Sequence, residues 1–447
     1  MTISELRTSL DVESIGRQLY DRIADLYPIC RSITGDGVRE TLRRLQRVTP
    51  LTVHEVPSGT AVFDWTVPRE WNVRDAYVKN SRGERVIDFC ESNLHVVNYS
   101  VPFRGRLSLA ELRPHLFTLP DRPDWIPYRT SYYSENWGFC LSQRRLDALE
   151  DGLYEVCVDS TMEPGSLTYG ECYLPGESTD EILISCHVCH PSLANDNLSG
   201  IAIAAHLARC LGELALRYSY RFLFIPGTIG SITWLARNEA VVPRIRHGLV
   251  LSGLGDAGRF TYKKSRRGDA VIDRAAAHGL RSFGDLEVQE FSPYGYDERQ
   301  FCSPGFNLPV GRLSRTPHGR YPEYHTSADN LGFIRPSQLA TSFAACLAIL
   351  EVLENDRTYL NQNPKCEPHL GKRGLYHAIG GVAHSPDTEM AMLWVLNLAD
   401  GEHSLLDIAD RATLTFNSVL SAAARLFESG LLKEAIRCSG RQKEGTV

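Results

Sequence analysis

The chain has 447 residues, of which 43% are apolar and 23% charged, and its formal net charge is −6. This length suggests about two or three domains, and the composition excludes a disordered, collagenous or coiled-coil protein. The slight acidity gives no basic footprint for a general nucleic-acid or membrane-surface binder.

No run of residues approaches the roughly 18 consecutive apolar positions that a membrane span requires. The amino end carries acidic residues and lacks the apolar core of a secretion signal. Twelve cysteines in such a chain predict reduced thiols and a cytoplasmic location.

The amino-terminal third predicts a helical start followed by β structure. Apolar residues at intervals of three and four indicate helix over 12–48, interrupted near Pro28. From about 62 to 135, short apolar pieces alternate with prolines, as in strands joined by turns. We therefore expect residues 62–135 to form a small β-rich module, inserted into a main domain of residues 1–61 and 136–358.

The main domain alternates strand and helix signals between residues 150 and 355. This alternation predicts an α/β fold with a mostly parallel sheet and helices on both faces. In such a sheet, ligands bind at the carboxyl ends of the strands, so functional residues should follow each apolar run. The predicted buried strands are 181–186, 221–225 and 249–252, and the predicted helices are 201–216, 229–239, 270–278 and 336–354.

The carboxyl-terminal part predicts a linker over 359–388 and a winged-helix-like module over 389–447. Ser404, with Asp407 three residues later, is typical of a helix start, and residues 416–429 predict a second helix. From residue 390 onward there are seven acidic and six basic residues, and the second helix contains Arg425 alone among basic side chains. A helix that reads DNA needs more cationic residues, so the sequence does not favour nucleic acid as a ligand. We expect a protein-interaction, substrate-docking or self-association module instead.

One short segment carries the sharpest chemical signal. The first predicted buried strand ends near His187, and His190 and Asp196 follow in a polar loop before the next helix. Neutral imidazole and ionised carboxylate are usual zinc ligands in enzymes. From these residues alone, a helix cap with surface groups remains an equal alternative.

The same segment resembles the zinc aminopeptidase family that includes bacterial leucyl aminopeptidases and glutaminyl cyclases. His187, Asp196 in Asn-Asp-Asn-Leu-Ser-Gly and His325 in Tyr-His-Thr-Ser-Ala-Asp match the ligand motifs of that family. Residues 296–309 are similar to its Ser-Asp-His and Gly-Ile-Pro region. More closely, the chain resembles bacterial aminopeptidase-like proteins with an inserted β module and a carboxyl-terminal winged helix. The resemblance implies the aminopeptidase fold and one or two zinc ions bound by these three residues.

The chain also departs from that family. The family has two consecutive glutamates after the next strand, one a general base and one a ligand, where this chain has Pro-Gly-Thr at 226–228. Cys189 stands where the family usually has an aspartate that orients the first histidine, a role that a thiol fills poorly. Asp256 follows a further predicted strand and is a candidate additional metal ligand.

Three acidic residues near the matched motifs are candidates to replace the missing base, namely Asp297, Glu298 and Glu323. A base must lie within hydrogen-bond distance of the water it activates, which the sequence does not reveal. Surface ion pairs are the alternative interpretation of these acids.

Four further residues around the same motifs are candidates for substrate binding. Cationic and phenolic groups near a metal can hold an anionic substrate or stabilise an oxyanion, although a solvated turn would have a similar composition. The candidates are Arg299, Arg315, His318 and Tyr324.

Together these features predict a zinc-dependent hydrolase of amide bonds. The predicted substrate is a peptide or a small biosynthetic intermediate, cleaved by an aminopeptidase or an N-acyl hydrolase activity. Two alternatives are a catalytically altered relative that serves as a binding or scaffold protein, and a DNA-associated regulator that uses the winged helix. A serine hydrolase is not supported, because no Gly-x-Ser-x-Gly elbow is present.

Overall fold

The computed structural model describes residues 2–375 and 386–435, without the side chains of Pro386 and Asp387. Part of the predicted linker and the end of the winged-helix module, residues 376–385 and 436–447, lie outside the described residues. The chain forms two compact units. The first contains Met1–Asp273 and Phe283–Leu347, and the second contains Arg274–Ser282 and Ala348–Val447.

Helices in the main domain fall on the four segments that the periodicity predicts, 201–216, 229–239, 270–278 and 336–354. In chain order the helices are α1 (Ile3–Thr8), α2 (Val12–Leu26), α3 (Asp36–Leu45), α4 (Leu109–Leu112), α5 (Gln143–Asp147), α6 (Gly200–Leu211), α7 (Ile229–Arg237), α8 (Val271–Leu280), α9 (Glu298–Phe301), α10 (Pro336–Asn355), α11 (Pro386–Leu398), α12 (Leu405–Ala412) and α13 (Phe416–Glu428).

The strands are β1 (Thr52–Pro57), β2 (Ala61–Val62), β3 (Trp65–Thr66), β4 (Glu70–Lys79), β5 (Arg85–Asp88), β6 (Phe103–Ser108), β7 (Leu116–Phe117), β8 (Phe139–Cys140), β9 (Leu153–Glu163), β10 (Ser166–Leu174), β11 (Glu181–His187), β12 (Ser219–Ile225), β13 (Ile245–Leu251), β14 (Phe260–Lys263), β15 (Leu286–Gln289), β16 (Val310–Ser314), β17 (Thr358–Asn361), β18 (Asp400–Ser404) and β19 (Leu432–Glu434).

The central sheet of the first unit has the order β1-β10-β12-β11-β13-β16-β14-β15. Its centre, from β12 through β11 and β13 to β16, is parallel, and β11 and β12 are buried along their whole length. The predicted α/β fold class is confirmed, but the sheet is mixed, because β10 and β14 run antiparallel to their neighbours β12 and β16. The parallel neighbours β11 and β12 need a crossover segment, which α6 supplies.

A second, antiparallel sheet has the order β5-β4-β9-β6. Strand β9 pairs along most of β4 and also with β6, so the small sheet includes residues 153–163 as well as strands from the predicted 62–135 module. The boundary predicted at residue 135 therefore differs from the structure, because strand pairing is set by contacts between segments distant in sequence.

The second compact unit contains α11, α12 and α13 together with the antiparallel sheet β18-β17-β19. Its central strand, β17, overlaps the start of the segment 359–388 predicted as a linker, and it pairs there with β18 and β19. The predicted start of α12 is present: Ser404 accepts a hydrogen bond from the Asp407 N–H, and the Asp407 carboxylate accepts one from the Ser404 N–H.

Among the described residues, α10 is the one helix long and apolar enough to cross a bilayer by length and composition. Within its most apolar stretch, 72% of the residues are buried inside the protein, as in a core helix.

Candidate active site

Three side chains from two distant segments of the first unit meet at the carboxyl end of β11. His187 ends that strand, and its Nε2 lies 3.0 Å from Oδ1 of Asp196. The Nε2 atom of His325 lies 3.0 Å from the other carboxylate oxygen, Oδ2. The structure thus brings together the three ligands that the sequence motifs indicated, with the buried Asp196 carboxylate between the two imidazoles.

His190 joins this cluster, although the sequence analysis did not count it among the ligands. Its Nδ1 atom lies 3.9 Å from Oδ2 of Asp196, and the ligand atoms of His187, His190 and Asp196 lie within 4.8 Å of one another. Burial lowers the pKa of His190 well below its ordinary value, which favours the neutral, ligating form. Within the described part of the chain, its buried Nδ1 has no hydrogen-bond partner. The sequence signal was its position three residues after His187.

This donor set fits a metal ion. Imidazole nitrogens and a carboxylate are the combination that catalytic zinc sites use. A metal ion between His190 Nδ1 and the Asp196 carboxylate would also supply the partner that this buried nitrogen lacks among the described residues. His325 also adopts a left-handed backbone conformation with φ 55°. Such strain in a residue other than glycine clusters at functional sites.

Asp329 holds the loop that carries Asp196 through hydrogen bonds to its backbone. The Asp329 carboxylate accepts hydrogen bonds from the N–H groups of Asn195, at 2.6 Å, and Asp196, at 3.0 Å. Burial raises the pKa of Asp329 to about 8, although these two hydrogen bonds favour its ionised form. Asp329 therefore orients the ligand loop, a role in which carboxylates commonly support metal ligands.

Asp256, predicted as a further ligand, is not brought into the cluster. Its carboxylate accepts hydrogen bonds from Asn195 Nδ2 at 3.0 Å, from the Gly258 N–H at 2.7 Å and from the Thr316 hydroxyl at 2.7 Å. Both oxygens are thus engaged in holding the turn after β13 and the side chain of Asn195. Asp256 therefore supports the ligand loop through Asn195, the residue that precedes Asp196.

The loop carrying His190 is held by Arg31, which the sequence analysis did not single out. The Arg31 guanidinium is fully buried and donates to the carbonyl oxygens of His190 at 2.7 Å, Pro191 at 2.8 Å and Leu26 at 2.8 Å. Backbone carbonyls thus satisfy this buried cation, and it fixes the path of the chain just after His190.

Asp297 is the predicted base that reaches the site. Its Oδ1 accepts hydrogen bonds from the Thr228 N–H at 2.8 Å and from the Ser231 hydroxyl at 2.9 Å. Thr228 lies in the turn after β12, with a left-handed φ of 67°. Burial raises the pKa of Asp297, and the nearby His187 opposes that rise. In the aminopeptidase family that the chain resembles, the turn after this strand carries the two glutamates. In this chain the same turn lacks them, and its Thr228 N–H donates to Asp297, which comes from another segment.

Glu298 and Glu323 are placed elsewhere. Glu298 is fully buried and pairs with Lys263 at 2.9 Å, with Arg312 3.7 Å away. Glu323 contributes its backbone carbonyl to the Thr326 hydroxyl and N–H. Neither residue lines the cavity beside the cluster, so the structure does not support a role for either as the base.

A cavity of about 310 Å³ opens beside His187 and His190. Of the predicted substrate-binding residues, Arg299, His318 and Tyr324 line it, whereas Arg315 does not. The Arg315 guanidinium is instead buried, with hydrogen bonds to Ser342 Oγ and to the Gly258 carbonyl. Five other residues of the wall are aromatic, namely Trp65, Tyr132, Tyr133, Tyr294 and Tyr296.

Aromatic rings also pack directly on the candidate ligands. The ring of Tyr296 stacks on His187, with centroids 4.9 Å apart, and Tyr324 stacks on His325 at 3.9 Å. Tyr128, from the segment preceding β8, meets His190 and His325 edge to face, and its N–H donates to the His325 carbonyl at 2.8 Å. The predicted inserted module therefore helps to build the site.

The protein has the fold of the zinc aminopeptidases. A zinc aminopeptidase from Bacillus subtilis superimposes with a TM-score of 0.52 at 13% identity, covering 75% of this chain and 94% of its own. An M28 peptidase precursor from Shewanella amazonensis gives 0.54 at 13% identity, covering 79% and 98%. At such identities the likeness shows the fold alone, and it confirms the resemblance found in the motifs.

The chain belongs to the family described as a domain of unknown function, DUF4910, which matches residues 20–356. Residues 357–434 match a winged helix-turn-helix family, which confirms the predicted carboxyl-terminal module. A Clostridium acetobutylicum protein is 54% identical over 419 residues, 94% of this chain and 96% of its own. Its provisional name is polysaccharide biosynthesis protein with aminopeptidase-like domain. A crystal structure from the same species, provisionally named a peptidase, has a TM-score of 0.92 at 50% identity and covers 97% of this chain and all of its own.

Proposed function

We propose that this protein is a zinc-dependent hydrolase that cleaves an amide bond in a small substrate. The observation that carries the proposal is the convergence of three imidazoles and one carboxylate beside a cavity, which His187, His190 and Asp297 line. The provisional name of the Clostridium relative, which joins polysaccharide biosynthesis to an aminopeptidase-like domain, supports a small biosynthetic intermediate as the substrate. The zinc ligands would be His187, His190, Asp196 and His325.

When bound there, zinc would polarise the amide carbonyl and make a water molecule more acidic. Asp297 would act as the general base. Its Oδ1 is fixed by Thr228 and Ser231, and no hydrogen bond is made by Oδ2 within the described part of the chain. Water adds to the carbonyl carbon while its proton moves to Oδ2. The C–N bond then breaks, and that proton passes to the departing nitrogen.

The test compares hydrolysis and zinc content in the wild type and in Asp297→Asn. The substrates are amino-acid anilides and N-acetyl amino acids, and zinc is counted by mass spectrometry in protein purified without added metal. We expect turnover to fall about 100- to 10,000-fold in Asp297→Asn, with unchanged zinc, because the variant keeps the shape of the side chain but cannot accept the proton.

Two control variants separate the base from the ligands. Asp285→Asn removes an exposed carboxylate that pairs with Arg259, and it should behave as the wild type. His190→Ala should lose zinc and activity together. Full turnover in Asp297→Asn would overturn its role as the base, and wild-type protein without zinc would overturn the metal site.

Two further expectations from the sequence remain proposals. We infer a cytoplasmic location from the twelve cysteines, which suit a reducing compartment. We also infer that the carboxyl-terminal unit binds a protein or a second copy of the chain, because its charge is nearly balanced.

A further inference from the structure

Arg299, in the wall of the cavity, is a cation with no counter-ion among the residues that the structure describes. It follows the candidate base by two residues, within the short helix α9, and lines the cavity together with His187 and Asp297. Its Nε atom is buried and has no hydrogen-bond partner among the described residues. No carboxylate of those residues lies within ion-pair distance of its guanidinium. A half-buried guanidinium is costly to leave unpaired, which indicates that an anion completes it when substrate is bound.

The other charged groups in and near the cavity also favour an anionic substrate. Asp297 is the one carboxylate among the described residues that line the cavity. Arg312 does not line the cavity, but its guanidinium lies 3.3 Å from Nδ1 of His318, which does. A free-amine peptide brings an ammonium group that needs an acceptor, and Asp297 cannot serve both as that acceptor and as the base. An N-acylated substrate carries no such positive charge.

We propose that Arg299 binds a carboxylate or phosphate group of an N-acylated substrate, so that the site removes an acyl group from an anionic amide rather than an amino acid from a peptide. This inference rests on the proposed hydrolase function and narrows its substrate class. The planar guanidinium suits both oxyanions, since each offers two oxygens to its parallel N–H groups.

The experiment measures kcat/KM on matched pairs of probes. N-acetylalanine is compared with neutral N-acetylalaninamide for the carboxylate, and N-acetylglucosamine 1-phosphate with N-acetylglucosamine for the phosphate. Alanine p-nitroanilide supplies the free-amine arm. We expect the charged member of one pair to be preferred about 10- to 100-fold by the wild type, since hydrogen bonds between charged groups contribute that much. The preferred pair identifies the anion.

Variants assign that preference to Arg299. Arg299→Met should bring the two members of the preferred pair to similar kcat/KM, and Arg299→Lys should retain part of the difference. Arg104→Met, which removes a largely exposed arginine 3.6 Å from Asp159, should match the wild type. A preference that survives in Arg299→Met, or wild-type selectivity for the free-amine anilide, would overturn the inference.

Calorimetric titration of the same probes into zinc-loaded protein separates this inference from the proposed hydrolysis. If no probe is cleaved, the hydrolase proposal fails for these substrates. Tighter binding of a charged probe that Arg299→Met weakens at least about tenfold would still support the anion site. Equal affinity in both proteins, or no binding of either charged probe to the wild type, would contradict it.

Discussion

Glu298 and Asp297 are adjacent in sequence, yet their surroundings give them different chemistry. Among the described residues, Oδ2 of Asp297 at the cavity has no hydrogen-bond partner, whereas Glu298 is held between Lys263 and Arg312 in the interior. Breaking a buried ion pair leaves an uncompensated charge, which is strongly destabilising. The role of Glu298 is therefore the pairing of two buried cations behind the wall.

Glu298→Gln should lower the free energy of unfolding by about 3 kcal/mol, because it leaves the buried Lys263 ammonium without its counter-charge. Urea unfolding followed by circular dichroism measures the change. The double variant Glu298→Gln/Lys263→Met should recover part of the loss, since it removes the unpaired cation. Wild-type stability combined with lost turnover would instead assign Glu298 a catalytic role.

At the scale of elements, two loops at the ends of parallel strands border the site, and each is held by a residue from elsewhere. Asp297 holds the turn after β12, and Arg31, between α2 and α3, holds the loop after β11. Loops need such supports, because a ligand loop without them loses the geometry that the metal requires.

Arg31→Met should weaken zinc binding about 10- to 100-fold, because it releases the carbonyl groups of His190 and Pro191. Competition with a chelator measures the affinity. Arg31→Lys should not restore it, since one ammonium cannot reach carbonyls that a planar guanidinium spans. Arg17→Met, on the exposed face of α2, is the matched control. Unchanged affinity in Arg31→Met would show that His190 does not depend on this support.

At the scale of the molecule, the first unit contains two buried histidines, away from the site, whose imidazoles stay neutral. Burial lowers the pKa of His206, in α6, to about 4 and that of His247, in β13, to about 3. The unfolded chain takes up these protons near pH 6.5, so their contribution to stability is complete above that pH and is lost as the pH falls toward 4 and 3.

The free energy of unfolding should therefore fall by about 1.4 kcal/mol per histidine for each pH unit below about 6.5. Urea unfolding at pH 7.5, 6.0 and 5.0 measures the slope, and the difference between the wild type and His206→Gln/His247→Gln isolates these two residues from the rest of the chain. Equal slopes in the two proteins would contradict the prediction.

The sequence by itself determined the architecture and the first three candidate ligands. The buried strands β11, β12 and β13 and the helices between them follow from apolar runs and periodicity, which are local properties. His187, Asp196 and His325 stood in recognisable short motifs. The start of α12 was equally readable, because a capping box needs only residues three apart.

Only the tertiary structure decided which neighbouring side chains share the site. It added His190, left Asp256 and Arg315 in supporting positions, and placed Asp297 rather than Glu298 or Glu323 at the cavity. It also extended the small sheet to β9, beyond the predicted boundary at residue 135, and showed strand β17 where a linker was predicted. These outcomes depend on distances between segments far apart in the chain and on burial, which sets the charge that each group can carry, and no local pattern encodes either.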